Sequence, residues 1–146
     1  MITLLTSISP SHTNSQTDAV MSWLNNGLKV ISMNHESEII ELKTLYPGVE
    51  FVPTYRTMEK TFGKKYVNVN ALLDHAKALK EDHFCIINSD IQIIDNSGEL
   101  NNVKDRMSDG VLFARRLDFD NDPKINKRFD LGLDVFFIHK KFFKIT

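Results

Sequence analysis

Short apolar runs alternate with amphipathic segments through the first 94 residues, and that alternation permits few architectures. The runs within Ile2–Ile8, Lys29–Met33, Val49–Val52 and Phe84–Ile87 have the length and the branched or aromatic composition of strands. Between them lie three segments of helical period. From Ser15 to Asn26, Ala19, Val20, Trp23 and Leu24 share a face, Asp18 sits in the first turn, and Gly27 ends the helix. Ile39, Ile40, Leu42 and Leu45 mark a second helix closed by Pro47-Gly48. Asn68 is placed to cap a third, whose apolar stripe is Ala71, Leu72, Ala76 and Leu79. Strands that alternate with helices pair in parallel, because each helix carries the chain back to the starting edge of the sheet. The expected fold class is therefore α/β, a Rossmann-like, mostly parallel sheet with helices on both faces.

Beyond residue 94 the pattern is looser. Asp95-Asn96-Ser97-Gly98 reads as a turn, Leu100–Met107 as a short helix or irregular segment, and Gly110–Leu117 and Gly132–Ile138 as strands separated by the charged loop Asp118–Asp130. Pro53–Lys65, where aromatic and basic residues mix, is expected to be irregular. No repeat or linker divides the chain, so residues 1–146 are read as one domain. With 42% hydrophobic residues and a formal net charge of −1, the chain has no global field that would gather nucleic acid or an anionic membrane. Any recognition of phosphate has to be local. The single cysteine, Cys85, excludes an internal disulfide and a cysteine-rich metal site. No window reaches the length of a membrane span, and the N-terminus lacks a basic stretch followed by an apolar core; no transmembrane segment and a cytoplasmic location are the expectations.

The chemistry concentrates where the fourth strand ends, in Asn88-Ser89-Asp90. Ligands of open α/β sheets gather beyond the carboxyl ends of the strands. Two side-chain oxygens one residue apart can converge there on a hard cation, Mg²⁺ or Mn²⁺, that already carries substrate phosphates. The same three residue types also form ordinary strand-to-turn exits.

In this order the chain resembles the nucleotide-binding part of the A-type glycosyltransferase fold (GT-A), the architecture of many nucleotide-sugar transferases. Three places carry the resemblance: Leu5-Thr6-Ser7-Ile8 with the Trp23 helix that follows, Asn34-His35-Glu36 after the second strand, and Asn88-Ser89-Asp90, which is similar to the family's DxD motif with Asn at its first acidic position. The resemblance implies a donor site of Thr6, Ser7, Asn34, Glu36, Asn68, Asn88 and Asp90. It further implies a Mn²⁺ or Mg²⁺ ion held by Asp90 and Asn88, and Asp134, in Gly132–Phe137, as the catalytic group facing donor or acceptor. The implied partners are a nucleoside-diphosphate sugar and a glycan or other hydroxyl acceptor. The apolar pattern runs to Phe142-Phe143, so the resemblance also implies a domain truncated at its C-terminus or completed by partner chains, a homo-oligomer among them.

Arg56, Lys64, Lys65, Arg115 and Arg116 are further candidates for phosphate contact, because guanidinium forks and ammonium charges both suit phosphoryl oxygens. Each also fits a solvated surface. Trp23 beside Val20 and Leu24 reads as core. The five histidines, His12, His35, His75, His83 and His139, have no metal-ligand spacing, and Asp118, Asp120 and Asp122 lack the glycine and distant glutamate of an EF-hand loop. The absence of a glycine-rich phosphate loop argues against a dehydrogenase and a P-loop nucleotidase, and no Gly-x-Ser-x-Gly elbow is present. Two classes stay open: a metal-assisted glycosyltransferase, and a non-catalytic binding or assembly module on the same scaffold. A nucleotidyltransferase ranks last, since it would require a glycine-rich basic segment after the first strand.

Overall fold

The computed structural model of the chain describes residues 1–11, 14–118 and 128–144. Its six strands, β1 (Thr3–Thr6), β2 (Lys29–Asn34), β3 (Glu50–Pro53), β4 (His83–Ile87), β5 (Leu112–Asp118) and β6 (Arg128–His139), form one sheet in the order β3-β2-β1-β4-β6-β5. The first four are parallel; β6 runs antiparallel to β4, and β5 antiparallel to β6. The parallel half is the one that the helix-strand alternation predicts. The outer pair forms an antiparallel ribbon, with register shifts on either side of Arg115.

Successive side chains of a strand point to opposite faces, and the sequence supplies apolar residues to both. Leu4, Val30 and Cys85 face α1 (Asn14–Asn25) and α2 (Glu36–Leu45), meeting Ala19, Val20, Trp23, Ile39 and Leu42. Leu100 and Val103 of α5 (Glu99–Arg106) and the buried Met107 join this layer. On the other face Leu5, Ile31 and Phe84 meet Ala71, Leu72 and Ala76 of α4 (Val69–Ala78). Phe143, in the 3₁₀ turn Lys140–Lys144, packs on that layer with its ring 5.7 Å from Phe84. Burial on both sides of β4 pushes the Cys85 thiol pKa up, which makes it a neutral core group.

The helix ends follow the sequence closely, except that α1 starts at Asn14 and so has no acidic residue in its first turn, Asp18 lying beyond it. Gly27 has φ 71°, and the bonds Gly27 N to Leu24 O (3.0 Å) and Leu28 N to Trp23 O (3.2 Å) form the paired closure that a left-handed residue allows. Asn68 caps α4 as expected, its Oδ1 accepting from Asn70 N at 2.8 Å. Within the stretch expected to be irregular lies one helical turn, α3 (Glu59–Phe62), too short to register as a periodic pattern.

At the end of the sheet where β4 begins, His83 pairs directly with His139 of β6, their rings edge to face at 4.9 Å. Partial burial, followed by the nearby His139 and Lys104, holds the His83 pKa below the ordinary imidazole value, against the opposing pull of Asp82. The native state therefore disfavours the proton, and the unfolded chain takes it up first as pH falls through about 6.5. Stability should fall between pH 7.5 and 5.5. Urea midpoints at the two values should differ more for the native sequence than for His83→Gln; equal differences would remove His83 as the cause.

Candidate functional site

The crossovers through α1 and α2 lie on one face and the return through α4 on the other, so the strand order reverses between β1 and β4. At such a reversal the two chain exits diverge and leave a crevice beyond the carboxyl ends. A pocket of about 390 Å³ occupies that position. Thr6, Ser7, Ser9, Ser11 and Gln16 form one wall, Ile87, Asn88, Ser89 and Asp90 the facing wall, and Val67, Val69 and Leu72 the apolar flank.

Buried polar side chains fix the first wall. Thr6 Oγ1 donates to Ile87 O at 2.8 Å and joins the two strand ends. Ile8 N donates to Ser32 Oγ, Ser32 Oγ donates to Asn34 Oδ1 at 2.7 Å, and Asn34 Nδ2 returns to Ile8 O at 2.8 Å. Gln16 grips Ser9 at both backbone atoms: its Oε1 accepts from Ser9 N at 2.9 Å and its Nε2 donates to Ser9 O at 2.8 Å. The serine-rich loop is thereby clamped to α1 at Ser9.

The second wall is a turn with both ends anchored. On the β6 side, Asn88 Nδ2 donates to Asp134 Oδ1 at 2.8 Å, and Arg116 Nη1 meets Asp134 Oδ2 at 2.9 Å. A carboxylate oxygen accepts, so Asn88 turns its NH₂ to Asp134 and its side-chain oxygen is left outside that bond. After Asp90, α1 takes hold of the chain. Trp23 Nε1 donates to Ile91 O at 2.9 Å, Ile93 N to Ser22 Oγ at 3.0 Å, and Asn26 Nδ2 to Ile93 O at 3.0 Å.

Of the residues expected at the site, Thr6, Ser7, Asn88 and Asp90 line the pocket. Asp134 is joined to it through Asn88 and also lines a second, apolar cavity of about 280 Å³ with Leu73, Phe136 and Ile138. Asn34 is not among the lining residues; it is 1% exposed and bound to Ser32, Ile8 and Glu38. Glu36 lies exposed in the first turn of α2, and Asn68 serves as the cap of α4, next to the lining residues Val67 and Val69. Arg56 pairs with Asp74 at 2.6 Å, Lys65 reaches Ser37, and Lys64 lies over the Tyr66 ring, none of them lining the pocket. Trp23 is core, with no exposed surface. His12, Asp120 and Asp122 lie outside the described residues, as does the side chain of Arg115.

Sequence reasoning missed Gln16, Ser9 and Ser11. Gln16 had a readable signal: with Ala19, Val20 and Trp23 it occupies the buried stripe of α1, where a polar side chain needs a partner. Among the described residues no group of three or more His, Cys, Asp or Glu is arranged to hold a metal ion. Asp90 and the Asn88 oxygen are a donor set of two. That set fits a hard cation which keeps waters and arrives on a ligand's phosphates, since such ions use only one or two protein oxygens. No protein-family profile matches the chain, and no curated protein matches it in sequence.

Proposed function

We propose that the chain is a glycosyltransferase-like protein that binds a nucleoside-diphosphate sugar in the pocket between β1 and β4 and transfers the sugar to a hydroxyl acceptor. The observation that carries this reading is the facing of two fixed walls at the point of strand reversal, one of hydroxyls and one carrying Asp90 and the Asn88 oxygen. Hydroxyls of Ser7, Ser9 and Ser11 suit phosphate and ribose oxygens, while Val67, Val69 and Leu72 suit a base. A divalent cation carried on the diphosphate would be held by Asp90 and Asn88 and would stabilise the charge that develops on the leaving group. Asp134 acts through its neighbours: it orients the Asn88 amide and holds the Arg116 guanidinium close to the strand end.

The second reading, binding without turnover, draws support from the same carboxylate. Asp134 is engaged on both oxygens, and Asp90 is the one acid that lines the pocket, so the described residues present no separate general base there. Radiolabelled sugar release with and without simple glycosides separates the two readings.

The test of the site itself is the melting temperature of the native sequence and of Asp90→Ala with UDP, GDP, CDP and their sugars, with and without Mn²⁺. A ligand at 100 times its dissociation constant adds about 2.7 kcal/mol of stability. A metal-dependent rise for one nucleotide, lost in Asp90→Ala, is the expected result. No rise with any nucleotide would end the donor-site reading.

A further inference from the structure

Between β3 and α4 the chain leaves the sheet as a closed excursion. Its base is an antiparallel bridge between Thr57 and Val67, flanked by bonds from Met58 N to Tyr66 O (2.8 Å) and from Asn68 N to Arg56 O (3.0 Å). Its tip is the single turn α3, which Gly63 ends at φ 66°. A fixed backbone usually directs apolar side chains inward, yet α3 buries none of its residues. Phe62 is 63% exposed and Tyr66 57%. Lys60 and Lys64 lie exposed beside them, Lys64 Nζ being 5.6 Å from the Tyr66 ring centre, and Lys65 is half-buried with its Nζ on Ser37 Oγ.

Charge is concentrated here as well. From Thr54 to Val67 there are four cations, Arg56, Lys60, Lys64 and Lys65, against Glu59, a formal +3 in a chain of −1, which leaves −4 for the rest. Arg56 is offset by Asp74, which leaves three lysines against Glu59, a formal +2 at the tip.

We propose that this protrusion seats the protein on an anionic lipid surface, with Phe62 and Tyr66 entering the headgroup layer and the exposed Lys60 and Lys64 facing its negative charge. Aromatic rings and lysines with long apolar stems are the side chains that partition into a bilayer interface, and basic groups add to that affinity on anionic lipid. A single nucleic-acid strand is the poorer match, since its readers track it along a groove, whereas this tip is a closed turn standing off the sheet. β3 is parallel to β1 and β4, so the protrusion leaves from the end of the sheet that holds the pocket. Membrane seating therefore turns the pocket's end of the sheet toward the lipid, whatever the pocket binds.

The test is sedimentation with vesicles of phosphatidylcholine alone and with about one third phosphatidylserine. The native sequence should bind the anionic vesicles and be released by high salt. Lys60→Gln with Lys64→Gln should lower partitioning about 30-fold, and Phe62→Ser about tenfold. Superimposable far-ultraviolet circular dichroism is expected for these variants, because the tip buries nothing. Equal partitioning to both vesicle types, variants that bind like the native sequence, or binding of oligo-uridine in place of vesicles would each overturn the assignment.

Discussion

Trp23→Ala is expected to lower stability by about 3 to 5 kcal/mol, the range for removing a large aromatic side chain from a core that cannot collapse around the gap. The indole has no exposed surface and lies among the side chains that α1, α2 and the sheet share. It also supplies the donor for Ile91 O, one residue beyond Asp90. Trp23→Phe separates the two roles. It keeps most of the volume but leaves that carbonyl without its indole donor, at a cost of about 1 to 3 kcal/mol. Urea unfolding measures both losses. The phenylalanine variant should also show a smaller rise with nucleotide than the native sequence, because the turn that carries Asp90 is then held at fewer points. A loss below about 1 kcal/mol for Trp23→Ala would mean that the layer repacks, and the anchoring role would fall with it.

Asp134→Ala is expected to cost about 1 to 3 kcal/mol, less than a fully buried ion pair because the Arg116 side chain is 33% exposed and that of Asp134 15%. A second effect should be on the pocket. Without the carboxylate the Asn88 amide can turn over, and it then offers NH₂ where a cation or a donor requires oxygen. Nucleotide affinity should drop about tenfold or more, the scale of one charge-assisted contact. Asp134→Asn retains an acceptor for Asn88 but not the charge opposite Arg116, so it should preserve most of that affinity. Calorimetric titration of both variants against the nucleotide that stabilises the native sequence decides the matter: native affinity in Asp134→Ala removes the orienting role, and equal losses in both variants transfer it to the ion pair.

What could be read from the residues was the parallel half of the sheet and its helices. Runs such as Phe84–Ile87 are buried on both faces and carry no polar alternation, and Asn68 and Gly27 mark helix ends by local chemistry. β6 was harder. It begins at Arg128, within what reads as a charged loop, although Phe129, Leu131, Leu133, Val135 and Phe137 alternate with other residues in the period of an antiparallel strand. Its direction and its place next to β4 depend on tertiary pairing that no local pattern encodes. The candidate pocket was legible on the β4 side, where Asn88 and Asp90 follow directly from a buried strand, and in part on the β1 side, where Thr6 and Ser7 line it. Asn34 illustrates why strand-end reasoning fails elsewhere: a polar residue at a strand end can serve the fold by binding its neighbours, and only the bonds to Ser32, Ile8 and Glu38 reveal that use.

The pairing of β1 with β4 also bears on how the molecule assembles. Thr6 and Ile87, which join the two walls, are 81 positions apart, whereas β1 and β2 meet through a single helix. Closing the longer loop costs more chain entropy, so β1-β2-β3 can form as a local unit before β4 docks. Until β4 arrives, the pocket has one wall. A ligand that needs both walls cannot accelerate the earlier steps; it acts on the finished molecule, lengthening the native lifetime by slowing escape from it.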